Sequence, residues 1–279
     1  MRAAGIFGVD TVRFIEPSFA DLPVTIFNEV LAGLPADQAR LLIDENDEPL
    51  AIAFQDAGAW TAGTFLCRKP SVAAIEHFEE VPGEIYQEYR KTWAEAVREY
   101  YSSDIAENVT PAIDDMNEGR PAIIEDLIVK TWGRGTGSTC LDFCCGSGAG
   151  SLVLRNLGYV PLSCDNDPAL LSRGLISGRL LPHETICIDA TRASDYIDPV
   201  PKAVGIMMGE INPHTRELWQ QLAGQVFSLA EDVILTVGTE PEAELVRTWG
   251  EEIGRSVSVY ENPKDPIYDR WVCVNGKKK

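Results

Sequence analysis

The sequence predicts an α/β protein: a mostly parallel sheet with helices on both faces, preceded by a small α+β domain. From Cys140 onward, short apolar runs alternate with helix-spaced segments, the pattern of strands joined by crossover helices. The first of these runs breaks into a turn carrying Gly146, Gly148 and Gly150. The last two runs follow each other without a helix, a hairpin-like ending.

Residues 1–75 read as the α+β unit. Thr11 to Ile15 and Arg40 to Ile43 look like strands, and Leu50 to Phe54 returns antiparallel after the turn-rich Asp44–Pro49. Val24 to Leu31 has helical spacing that stops at Gly33 and Pro35, and Gly63 to Cys67 adds another strand. No catalytic motif occurs here, which suits a cover or substrate-selection module. Residues 76–135 read as a helical lid and linker. In it, Ile85, Tyr89, Trp93, Val97 and Tyr100 step by about four and predict an amphipathic helix from Pro82 to about Tyr101, with Tyr86 on its flank. Val109 to Glu118 is a loop, and Pro121 starts a helix running to Trp132. Residues 136–279 form the main domain. Its strands are expected near 139–143, 159–164, 185–188, 202–208 and 232–237, and its helices near 149–157, 168–178, 214–227 and 241–253. A tail of 257–260 and 270–274 closes it.

The bulk properties narrow the function. Net charge is −19, and residues 76–126 hold 14 acids against 4 basic residues. Such a surface repels a phosphate backbone, so nucleic acid is a poor partner. No apolar run is long enough to span a bilayer, and the start, Met1-Arg-Ala-Ala-Gly-Ile-Phe-Gly, is too short an apolar stretch for a signal peptide. A soluble, cytoplasmic protein is expected. The seven cysteines include no Cys-x-x-Cys pair and read as reduced thiols in apolar runs, with no metal site. Lys277-Lys278-Lys279 reads as a solvated tail.

Three strand ends carry an acid. Asp142 precedes the glycine turn, Asp165 follows 23 residues later in Cys164-Asp165-Asn166-Asp167, and Asp189 precedes Ala190. A glycine turn between a strand and a helix lets a ligand approach free backbone amides. A dinucleotide-binding domain shares the turn and the later acid, but the G-x-G-x-x-G spacing does not fit around Asp142.

The three acids in register with the turn resemble the cofactor site of class I S-adenosylmethionine-dependent methyltransferases. That resemblance covers roughly residues 120–275. It implies a Rossmann-like, seven-stranded sheet closed by an antiparallel last strand, and S-adenosylmethionine as cofactor. It also implies a binding set of Asp142, Phe143, Cys144, Gly146, Gly148, Asp165, Asn166, Asp189 and Ala190. In it Asp142 orients the loop or accepts from the cofactor's ammonium, Asp165 accepts from the ribose hydroxyls, and Asp189 with Ala190 receives the adenine. Cys144 departs from the family by standing where its first loop glycine is common. The run Asp142-x-x-Cys145-Gly146-Ser147-Gly148 is similar to the version in amino-group methyltransferases, many of which act on nucleic acid. Their N-P-P-Y motif is echoed only by Asn212-Pro213.

The segment after the fourth strand faces the methyl group in this architecture, so Glu210, Asn212 and His214 are the catalytic candidates. Either Glu210 or His214 suits the orientation or deprotonation of an acceptor amine. The expected acceptor is a small molecule or a protein side chain. An RNA amino-methyltransferase and a non-catalytic cofactor-binding scaffold are the alternatives, and no motif specifies the acceptor atom or an oligomeric state.

Overall fold

The computed structural model describes residues 2–114 and 116–275. The expected tail of Lys277–Lys279 lies outside the described residues. The chain divides into two compact units, residues 1–104 and 105–279.

The first unit contains α1 (Arg2–Ile6), β1 (Arg13–Phe14), α2 (Ile26–Ala32), β2 (Gln38–Ile43), β3 (Pro49–Asp56), β4 (Ala59–Thr64), α3 (Val72–Glu80), β5 (Gly83–Gln87) and most of α4 (Arg90–Asn108). Its five strands are ordered β1-β4-β3-β2-β5. Alternate residues on β2 and β3 (Ala39, Leu41, Ile52 and Phe54) face one way and pack with Leu31 of α2 and Ala74 of α3. Trp93 of α4 is fully buried, packs edge-on against Phe7 and donates its indole N–H to Thr64 Oγ1 at 3.0 Å.

Several elements differ from the sequence reading. The helix expected over Pro82–Tyr101 is a strand followed by a helix. β5 pairs in parallel with β2 from Ala39↔Gly83 to Ile43↔Gln87, and α4 begins only at Arg90. The open edge of β2 offers hydrogen bonds that a lone helical turn there would forgo, and that outweighs the four-residue spacing. Ile85 and Tyr89 consequently lie 62% and 66% exposed, whereas Trp93 and Val97 are fully buried. Helix α3 lies where no element was expected; Ser71 caps it, accepting from the Ala74 amide at 3.2 Å. The strand expected at Gly63–Cys67 is β4, displaced toward the N-terminus, and β1 is only two residues long.

The second unit contains α5 (Arg120–Trp132), β6 (Thr139–Phe143), α6 (Ala149–Asn156), β7 (Val160–Asp165), α7 (Pro168–Ile176), β8 (Thr185–Cys187), β9 (Val200–Gly205), α8 (Arg216–Leu229), β10 (Ala230–Val237), α9 (Glu240–Glu252), β11 (Val257–Glu261) and β12 (Trp271–Asn275). The sheet is ordered β11-β12-β10-β9-β6-β7-β8, parallel except where β12 pairs with β10 and β11. On one face Cys140, Val204, Ile234 and Val272 pack under Ile124, Leu127 and Ile128 of α5 and Val153 and Leu154 of α6. Strand alternation turns Cys273 to the opposite face, where its thiol meets the Ala243 carbonyl of α9. The seven-stranded sheet with helices on both faces is thus as expected. Its helices start on strong signals: Asp167 accepts from the Ala169 and Leu170 amides at the start of α7, and a Thr239–Glu242 capping box opens α9. No helix among the described residues is long and apolar enough to cross a membrane.

Candidate functional site

Strand β6 lies between β7 and β9. The chain leaves β6 toward β7 and β8, then returns to β9 on the other side. In open α/β sheets, the crevice at such a reversal, at the carboxyl ends of the strands, is where ligands bind. The glycine turn 144–148 occupies that place.

Two buried carboxylates build the turn. Asp142 is 1% exposed and faces α6. Its Oδ2 accepts from Ser151 Oγ at 2.5 Å, and Ser151 Oγ lies 2.7 Å from Ser163 Oγ on the adjacent strand, where Asp142 and Ser163 are in register. Burial pushes its carboxyl up to about 6, against the lowering by the Ser151 hydrogen bonds. Gly150 makes this packing possible: a Cβ there would stand 2.7 Å from Asp142 Oδ1. Phe143 is fully buried and serves the core.

Asp165 closes the turn from β7. Its Oδ2 accepts from the Gly146 amide at 2.8 Å and its Oδ1 from the Asp167 amide at 2.9 Å. Burial raises its carboxyl, opposed by those backbone donors. Three residues of the turn adopt positive φ: Cys144 (56°), Gly146 (53°) and Gly148 (84°). For Cys144 that conformation is strained by about 1 kcal/mol, which explains why glycine suits the position. A Cβ at Gly146 would meet nothing within 4 Å, so the turn is open there, whereas at Gly148 it would meet Leu180 at 2.6 Å. Arg179, buried at 5% exposure, supports the turn by donating Nε to the Ser147 carbonyl at 2.9 Å and Nη1 to Asp114 at 3.0 Å.

Asp189 is exposed at the end of β8 and caps the 3-10 turn Ala190–Asp195, its Oδ1 accepting from the Thr191 amide at 2.9 Å and hydroxyl at 2.8 Å. Ala190 is buried beside it, and Asn166 is exposed after Asp165. The three acids stand at the ends of three adjacent strands beside the turn that carries Cys144. Burial first, then Cys164 and the charges of Asp165, Asp142 and Asp189, push its thiol well above the usual range. The turn is therefore flanked by three strand-end acids, at the reversal point of a seven-stranded sheet with an antiparallel last strand. The second unit has a Rossmann-like, seven-stranded α/β fold.

No family model matches the chain, and no curated protein matches it. Among solved structures, it is similar to the magnesium protoporphyrin IX methyltransferase of Synechocystis PCC 6803 with bound S-adenosylmethionine. Identity is 15% and the TM-score 0.47, covering 66% of this chain and 97% of that one. It is also similar to a TehB-like S-adenosylmethionine-dependent methyltransferase of Corynebacterium glutamicum (15% identity, TM-score 0.43, 66% and 98% covered). A third is an rRNA methylase of Streptococcus thermophilus (12%, 0.40, 60% and 100%).

The segment after β9 is anchored to neighbouring elements of the second unit. Met207, at φ 57°, donates its amide to Thr236 Oγ1 at 2.7 Å, and Thr236 donates to the fully buried Asp269 at 2.6 Å. The Ile211 amide donates to Glu242 at 2.8 Å. Glu210, Asn212 and His214 are all exposed. Asn212 Oδ1 accepts from the amides of His214 at 2.9 Å and Thr215 at 3.3 Å, so its carbonyl holds the turn before α8. The sequence reading missed Ser151, Ser163, Arg179, Thr236 and Asp269. Only Ser151 had a visible signal, as a small polar residue one helical turn past a glycine turn; the others depend on strand register and tertiary contact.

Proposed function

We propose that this protein is an S-adenosylmethionine-dependent methyltransferase acting on a small molecule or a protein side chain. The placement of Asp142, Asp165 and Asp189 at the ends of three adjacent strands, beside an open glycine turn at the sheet's reversal point, carries the reading. The donor set fits the cofactor. Carboxylates beside the turn complement a sulfonium and an ammonium, and the open side of Gly146 leaves room for close approach.

The Asp165 oxygens accept the Gly146 and Asp167 amides, and a carboxylate retains lone-pair capacity for a ribose hydroxyl. Asp189 Oδ2 makes no hydrogen bond among the described residues and is the acceptor for an adenine amine, with Ala190 leaving space for the ring. Asp142 is turned toward α6, so its part is to hold the turn. Phe143 contributes its position in the strand and Asn166 a polar group beside Asp165.

When bound, the cofactor supplies an electrophilic methyl group. Glu210 and His214 orient the acceptor, and either can take its proton if the nucleophile arrives protonated. Asn212 positions His214 through its backbone and keeps Nδ2 free to donate.

Calorimetric titration with S-adenosylhomocysteine tests the cofactor. Wild type is expected to bind, and Asp165→Ala to bind about tenfold to a hundredfold more weakly. Equal affinity in the variant would remove Asp165 from the site, and no binding to folded wild type would remove the cofactor. The chain is expected to pass unretained through a polyanion column at low salt; retention would favour RNA as acceptor.

A further inference from the structure

We infer that the first unit carries a separate binding site for a small planar aromatic carboxylate, in the gap between β1 and the start of β4. The gap follows from the shortness of β1. Its pairing with β4 is limited to Arg13↔Thr61 and Phe14↔Ala62, so β1 leaves the outer edge of β4 at Ala59 and Trp60 uncovered. A cavity of about 400 Å³ opens there, lined by Thr11, Arg13, Trp60, Thr61 and Tyr100 among others. That volume falls in the range of small-molecule sites, which combine apolar walls with a few polar groups.

Both rings are held before any ligand arrives. The Arg40 guanidinium lies 4.8 Å from the Trp60 ring centroid and 5.2 Å from that of Tyr86, and it also donates to the Phe7 carbonyl. The Tyr100 ring packs edge-on against Phe14 at 4.7 Å, and its hydroxyl accepts from the Phe14 amide at 3.5 Å. Fixed rings lose little entropy on binding a flat partner.

Arg13 supplies the charge. Arg2, Arg68, Arg120, Arg155 and Arg179 each face an acid. The Arg13 side chain makes no hydrogen bond or ion pair among the described residues, in a chain of net charge −19. A guanidinium presents a planar fork that matches a carboxylate with two hydrogen bonds. A free fork beside two held rings and two threonine hydroxyls therefore selects an aromatic ring bearing a carboxylate. Every residue that lines the gap belongs to the first unit.

The test is calorimetric titration of the full chain with indole-3-acetate, with indole-3-ethanol as neutral control. Saturable binding of one equivalent is expected. It weakens about tenfold for the alcohol and in Arg13→Gln, a substitution at an exposed side chain that leaves the core intact. Trp60→Leu is expected to weaken both probes, and Asp165→Ala neither. Absence of saturable binding at millimolar probe, equal affinity in Arg13→Gln, or displacement of the probe by S-adenosylhomocysteine would each overturn the assignment.

Discussion

The two loops that frame the crevice are built in opposite ways. The turn after β6 is held by carboxylates that have left water: Asp142 under α6 and Asp165 on the Gly146 amide. The segment after β9 is anchored through its backbone to Thr236 and Glu242, and the side chains of Glu210, Asn212 and His214 are exposed. One loop is pre-organised, with its conformational cost met in folding. The other keeps exposed groups whose partner has yet to arrive. In the proposed reaction, that division assigns the invariant ligand to the first loop and the variable acceptor to the second.

The sharpest way to break the contrast is to disturb the buried loop. Gly150→Ala puts a Cβ 2.7 Å from Asp142 Oδ1 and 2.9 Å from Oδ2, where neither the helix nor the strand can give way easily. A stability loss of about 3 kcal/mol is expected in urea unfolding. A loss below about 1 kcal/mol would mean that the turn is far looser than its packing implies.

Next in size is the titration of Asp142. Burial raises its native value to about 6 from the ordinary 3.8, so between those values the native state retains a proton that the unfolded chain releases. Its contribution is therefore present at low pH, falls as pH rises through about 6, and is constant above. Asp142→Asn is expected to flatten this slope, a change on the order of 2 kcal/mol across the window. An unchanged slope in unfolding curves from pH 4 to 7 would assign the titration elsewhere.

Cys144 provides a smaller and opposite effect. It holds φ 56° with a side chain, so Cys144→Gly relieves left-handed strain. A gain of about 1 kcal/mol in thermal or urea unfolding is expected, with S-adenosylhomocysteine affinity retained. A loss of stability would show that the half-buried thiol packs well enough to offset the strain.

The same contrast explains what the sequence discloses. The second unit was readable because its strands are continuous apolar runs with an acid at the tip, and such runs survive any detail of packing. The glycine turn was readable because Gly146 and Gly148 answer to backbone geometry. Asp142's partners were not, since Ser163 meets it only through the register of β6 with β7. In the first unit the four-residue stripe misled: Ile85 and Tyr89 continue the spacing of Trp93 and Val97, yet β5 completes the edge of β2 instead. Helical periodicity describes side chains, whereas an unpaired strand edge is a demand of the backbone, and here the backbone prevailed.

The smallest expected effect is the most telling about the exposed loop. His214 is exposed, and among the described residues its ring makes no hydrogen bond or ion pair, while its backbone amide donates to Asn212 Oδ1. His214→Ala should leave unfolding free energy within about 0.5 kcal/mol of wild type and S-adenosylhomocysteine affinity unchanged. Methyl transfer to a cognate acceptor should nevertheless fall by about a hundredfold, as for a lost general base. Such a separation of stability from turnover is what an acceptor-facing residue requires. If instead stability drops by more than about 1 kcal/mol, His214 is part of the scaffold, the contrast between the loops fails, and Glu210 alone remains as the proton acceptor on that side.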